Sequence, residues 1–305
     1  MQSDQFPPPV FVLAAPGMPG QTLAAALGRN PAAYDLPELN LELMETVDSL
    51  QRELSWIRGA QIQGLLRALA QVLAGEQTGP AIEMARRWLT RRGYLSTGAV
   101  AAELAARIAP WRIVAPVTAA IFDRISLRRL RQSFPGAVYI HLHLHPHVYG
   151  RLITGQLAGE IALQLVGAVD ESATPPIPDP QDLWLMAETA IADFLADLPD
   201  EQVIAQPLAP LARDPGPCLE ALATRLGLPA DAAACARMLA PELSDFAGPG
   251  PMGAPLPGNI ESLADLAETL PDTDGASLQV PLPWRPDTAA FRDAVRDRAG
   301  ALGYR

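Results

Sequence analysis

The chain has 305 residues and a formal net charge of −11, from 34 acidic and 23 basic side chains, and its sequence contains no lysine. That excludes chemistry built on a lysine, whether a Schiff base or the phosphate-gripping lysine of a P-loop, and argues against a nucleic-acid partner. Two cysteines exclude a disulfide scaffold, while 49% apolar residues suffice for a large core.

Residues 1–9 carry neither a basic region nor an apolar stretch and are expected to be a flexible start rather than a secretory signal. No run of eighteen apolar residues occurs, so no membrane span is expected and the chain reads as cytoplasmic. Val10–Ala15 is a short apolar run that leads into Pro16-Gly17-Met18-Pro19-Gly20 and a helical pattern from Thr22 to Leu27. It reads as a strand buried on both faces. Helical patterns follow at Leu50–Leu73, Pro80–Arg92, Thr97–Ile108 and Asp123–Ser133. Within them Trp56, Leu65, Leu66, Leu69 and Trp88 recur at helical spacing and are expected in the core. Arg86, Arg87, Arg91 and Arg92 are expected at a solvated helix end, where cations are favoured.

Ala137–Leu142 reads as a second buried strand, broken at Pro146. Thr174–Pro180 is a proline-rich loop, followed by helical patterns at Gln181–Leu198 and Pro217–Leu226. Phe246–Asn259 reads as an irregular surface segment, and Asp287–Leu302 as a last helix stopped by Gly303. Cys218 and Cys235 are expected to be buried thiols. Strands separated by helices point to a single α/β domain over 1–305, with a central parallel sheet flanked by helices.

All four histidines, His141, His143, His145 and His147, fall in one stretch at the end of the second strand. Open parallel sheets place their sites at that end. On a strand, alternate residues share a face, which would align His141, His143 and His145. Three readings stay open: hydrogen-bonded site histidines without a metal, a catalytic base, and a metal centre. No acidic or cysteine ligand is close in sequence, so no metal is expected, although a metal-dependent enzyme built on these histidines stays an alternative.

The order of motifs resembles the PAPS-dependent sulfotransferases of bacteria. The likeness runs from the first strand and its Pro-Gly turn through Leu36-Pro37-Glu38-Leu39-Asn40-Leu41, Gly75-Glu76-Gln77-Thr78 and Ala85-Arg86-Arg87-Trp88-Leu89. It continues through Phe134-Pro135-Gly136-Ala137, Leu183-Trp184, Leu226-Gly227-Leu228-Pro229 and Leu302-Gly303-Tyr304. The resemblance implies a sulfotransferase-type, P-loop-like fold, in which Gly17, Gly20, Gln21 and Thr22 would cradle the 5′-phosphosulfate at a helix N-terminus. It also implies that Glu38 borders the acceptor pocket, as a base or as a carboxylate at a helix start, and that His141 and His145 belong to the site. The family's usual anchors are missing, however. The cradle has no arginine and Pro19 removes a donor. Leu144 and Leu152 stand where the 3′-phosphate arginine and serine belong, and Trp111–Pro116 has no lysine. Three lost charge-assisted bonds at about 1.5–3 kcal/mol each amount to roughly 4–9 kcal/mol, enough to turn a micromolar site millimolar or worse.

The sequence therefore predicts a degenerate, non-sulfating homologue that needs no cofactor and acts by binding, by modulating a protein partner, or by altered chemistry in the acceptor cleft. The alternative is a working sulfotransferase that uses PAPS on a hydroxyl or amine of a small or carrier-bound molecule.

Overall fold

The computed structural model describes residues 6–155, 163, 167–174, 176–255, 260–270 and 276–305. Pro175 of the proline-rich loop and residues 256–259 of the irregular segment lie outside these. The central sheet is built from β1 (Val10–Ala14), β2 (Ala33–Asp35), β3 (Arg112–Val117), β4 (Val138–His143) and, after a short hairpin of β5 (Val169–Asp170) and β6 (Ile177–Pro178), β7 (Val203–Pro207). Its order is β2-β3-β1-β4-β7 with every pairing parallel, as expected for strands joined through helices. β1 lies in the middle, where Val10 is matched with both Val114 and Val138. All five of its residues are buried, which explains its unbroken apolar run.

Helices cover both faces. On one, α1 (Gly20–Gly28) buries seven of its nine residues, and its alanines allow a close approach to the sheet. A Cβ placed on Gly20 would touch Ala14, Val12 and Pro116, so these side chains point toward α1. By strand alternation Phe11, Ala115, Val117, Tyr139, His141 and His143 face the other way. That second face is covered by α5 (Thr97–Ile108), α6 (Arg124–Ser133) and α8 (Pro180–Leu195), with α7 (Pro146–Thr154) leaving the end of β4.

Four local expectations are corrected. The pattern Leu50–Leu73 is not one helix but α2 (Val47–Glu53), a 3-10 turn at Trp56–Arg58 and α3 (Gln63–Ala74). The break puts Trp56 at φ 52° and leaves it 97% exposed, so Trp56 is not a core residue, whereas Leu65, Leu66 and Leu69 are. The last helix begins at Asp293, not Asp287, because Asp287 is engaged with Arg285 and the Ala289 N–H in a turn. Both cysteines are half-buried rather than buried. Residues 6–9 are anchored rather than loose: Phe6 meets Phe134 edge-on at 6.1 Å, and the Pro9 carbonyl accepts from Val138 N–H. Residues 1–5 lie outside the described residues.

Candidate functional site

The site forms at the carboxyl ends of β1 and β4. After β1 the chain turns through Pro16–Pro19, with Gly17 at φ 81°, a left-handed conformation that glycine adopts freely. Two of the loop's donors are used within it: Met18 N–H bonds the Ala15 carbonyl at 3.1 Å and Gly20 N–H bonds the Met18 carbonyl at 2.8 Å. Pro19 is the helix cap and has no N–H to offer. Thr22 is fully buried, and its hydroxyl oxygen accepts from Glu261 N–H at 3.3 Å. Gln21 reaches back toward the Leu36 carbonyl at 3.5 Å, and Gly17 is exposed. Gly17, Gly20, Gln21 and Thr22 thus share one loop and helix start, but the Gly20 N–H and the Thr22 hydroxyl are engaged within the chain.

At the end of β4, His141 and His143 share a face as alternation requires, with ring centres 5.2 Å apart. His141 Nε2 lies 2.8 Å from Glu188 Oε2, both side chains at most 5% exposed. The two atoms are close but make no hydrogen bond with each other. Glu188 is delivered by α8, capped by Asp179 and started by Pro180, on a buried stripe of Leu183, Trp184, Ala187 and Ile191. His143 Nδ1 lies 2.7 Å from the Tyr304 hydroxyl, and burial, aided by His141 and Arg298, pushes its imidazole down to about 4. It is neutral near pH 7.

His145 does not continue the row. It caps α7, accepting His147 N–H on Nδ1 at 3.1 Å, while its Nε2 faces the Arg305 carbonyl at 3.5 Å. Burial lowers the pKa of both His145 and His147. Among the described residues no group of three histidine, cysteine or acidic side chains is placed to hold a metal ion.

Glu38 makes its hydrogen bonds elsewhere than to the histidines. Its Oε1 accepts Thr118 N–H at 2.6 Å and Ala119 N–H at 2.8 Å, so it caps the 3-10 turn Ala119–Phe122 that follows β3. This is a helix-start carboxylate serving a turn about eighty residues away in sequence. Burial raises its pKa, and the two N–H groups partly offset the rise.

The two leucines at the expected 3′-phosphate positions are packed, Leu144 at 1% exposure and Leu152 at 8%. The Leu144 carbonyl accepts the Trp184 indole N–H at 2.9 Å. Gly150 on α7 lies against Trp284, whose indole N–H bonds Asp179 at 3.2 Å. Next to it Arg285 bridges Asp170, Asp179 and Asp287. Of two arginines that could stand in as anchors, Arg112 is at the opposite end of the sheet, where its guanidinium donates to the Pro8 and Leu226 carbonyls, and Arg151 is exposed on α7.

Sequence reasoning missed Glu188 and gave Tyr304 no role. Glu188 had a readable signal, a lone acid four residues after Trp184 on an otherwise apolar stripe. Chemically the cluster offers an imidazole within 2.8 Å of a buried acidic side chain, beside a neutral imidazole bonded to a phenol.

No protein-family model and no curated protein matches the chain. Among solved structures, the sulfotransferase domain from the curacin biosynthetic pathway is similar at 20% identity and a TM-score of 0.77, covering 98% of each chain. The sulfotransferase domain of the Synechococcus PCC 7002 olefin synthase is similar at 18% identity and a TM-score of 0.71, covering 100% of this chain and 98% of the other. The parallel sheet, the loop-to-helix turn after β1 and the end-to-end match together establish that this chain has the sulfotransferase fold.

Proposed function

We propose that this is a sulfotransferase-fold protein that has lost the PAPS site and acts through the His141–Glu188 end of the cleft, by binding a molecule or by chemistry other than sulfation. One observation supports the reading: several of the groups that the resemblance would turn toward a polyanion are bonded within the chain or apolar. The Thr22 hydroxyl oxygen accepts from Glu261 N–H, the Gly20 N–H bonds Met18, and the buried Leu144 and Leu152 stand where the resemblance expects the 3′-phosphate contacts. Seating phosphates against buried leucines would strip their water and return no hydrogen bonds. The engaged position of Arg112 argues against a replacement anchor from that side. Calorimetric titration with adenosine 3′,5′-bisphosphate is the test. No binding below millimolar concentration is expected, and a micromolar dissociation constant would overturn the proposal.

A second reading is favoured by the full-length likeness to two sulfotransferase domains, both named for biosynthetic systems. Here the protein would transfer a sulfuryl group from PAPS to a hydroxyl or amine of a small or carrier-bound acceptor, with His141 or Glu38 as the base. Transfer of label from radioactive PAPS to an acceptor would establish it, and an absence of turnover over a broad acceptor panel would remove it.

A further inference from the structure

On the sheet face away from α1 and the phosphate loop, a crevice of about 410 Å³, counting its open mouth, lies between β1, β3, α5 and α6. Its walls are apolar, formed by Phe11, Leu41, Ala101, Leu130 and Phe134. One charged group enters it. Glu42 is 7% exposed, and its Oε1 is buried with no hydrogen-bond partner among the described residues. A buried carboxylate oxygen left unpaired is costly, and few occur in folded proteins without a function or a bound partner.

The surroundings select the sign of that partner. Three ionisable groups face the Glu42 carboxyl: Glu38, Arg129 from α6, and Tyr139 from β4. Glu38 is a second acid. The Arg129 guanidinium donates to the Glu42 backbone carbonyl rather than to its carboxyl. The Tyr139 hydroxyl is itself buried, with no partner among the described residues. Arg129 is near but bonds elsewhere, so what the Glu42 Oε1 lacks is a donor in direct contact, and a small cation would supply both charge and hydrogen bond. The space limits its size, since room for the centre of a water-sized sphere amounts to only about 30 Å³. That favours a narrow chain end over a bulky group. At the mouth, Gly98 leaves the gap open; a Cβ there would stand 2.8 Å from Ser133 Oγ.

We propose that this crevice is a binding site for a slender primary alkylamine, with its chain against Phe11, Leu130 and Phe134 and its ammonium group on Glu42. The site stands independently of the reading of the phosphate loop, being on the other face of the sheet.

The probe is n-hexylamine, with 1-hexanol as the uncharged control, titrated into the full chain by calorimetry. Hexylamine is expected to bind more tightly than hexanol. Burial, with Glu38 adding to it, pushes the Glu42 carboxyl up to about 7. Its ionised fraction thus rises roughly tenfold between pH 6 and pH 8, and amine affinity should rise by about the same factor while hexanol affinity stays flat. Glu42→Gln, nearly the same shape, should weaken hexylamine about tenfold, abolish the pH dependence and spare hexanol. Ala101→Leu, which fills the crevice, should remove both ligands. Absence of hexylamine binding at millimolar concentration overturns the proposal, as does binding that Glu42→Gln leaves unchanged. Equal, pH-independent binding of amine and alcohol would also overturn it, because the crevice would then be merely apolar.

Discussion

Gly150→Ala tests how the Trp284 segment is held over α7. A Cβ at Gly150 would stand 2.2 Å from Trp284 Cη2 and 2.3 Å from Cζ3, against an ordinary contact of 3.4 Å or more. The ring must retreat by about 1.2 Å, the difference between 3.4 and 2.2. The indole N–H bond to Asp179, already 3.2 Å, would not survive that movement. Overpacking costs about 1–3 kcal/mol, and a lost hydrogen bond to a charged group about 1.5–3 kcal/mol. Replacing glycine within a helix returns about 0.5–1 kcal/mol. The net expectation is a loss on the order of 2–5 kcal/mol, read from urea unfolding followed by far-ultraviolet circular dichroism. In a Trp284→Ala background the clash is gone, so the same Gly150→Ala change should become neutral or slightly stabilising. A Gly150→Ala protein as stable as the parent, with no coupling to position 284, would refute this account of the packing.

Three other outcomes follow from the buried charges. His143 is held down to about 4 against an ordinary 6.5, so the unfolded chain binds its proton first. Its contribution is whole above pH 6.5 and is lost as pH falls toward 4, by about 3 kcal/mol; His143→Gln should flatten that part of the stability–pH curve. Asp35 runs the other way: burial lifts it to about 7, so the folded chain keeps a proton the unfolded chain releases. Stability should fall by about 4 kcal/mol as pH rises from 4 to 7, and Asp35→Asn, measured by denaturant unfolding across that range, should remove the slope. Arg285→Ala leaves Asp179, almost wholly buried, without its cation; a loss of about 3–5 kcal/mol is expected in the same unfolding assay.

Much of the scaffold was legible because its signals are local. Val10–Ala14 and Val138–His143 are apolar runs fenced by proline and glycine, and they do lie side by side at the centre of the sheet. β3 was not recognised because Pro116 sits inside it, and proline in a central strand normally argues against one. Trp56 failed for a different reason. Helical spacing assumes an uninterrupted helix, and the chain leaves the helix after Glu53. The histidine cluster was half legible: alternation placed His141 and His143 on one face, but His145 is claimed by the cap of α7. Glu188 and Tyr304 reach the same cluster from 47 and 161 residues away, which no spacing rule encodes. The engaged state of Thr22 was equally hidden, since its partner Glu261 lies 239 residues further on.

The central place of β1 has a consequence for synthesis. β1 pairs only with strands that follow it in the chain, at Val114 and Val138, so among the described residues it has no neighbour to join until about a hundred further residues have emerged from the ribosome. At about 5–20 residues per second that interval is on the order of ten seconds. Throughout it, an apolar run of five residues keeps both edges unsatisfied; β3 closes the first edge, and the second is closed only when β4 appears.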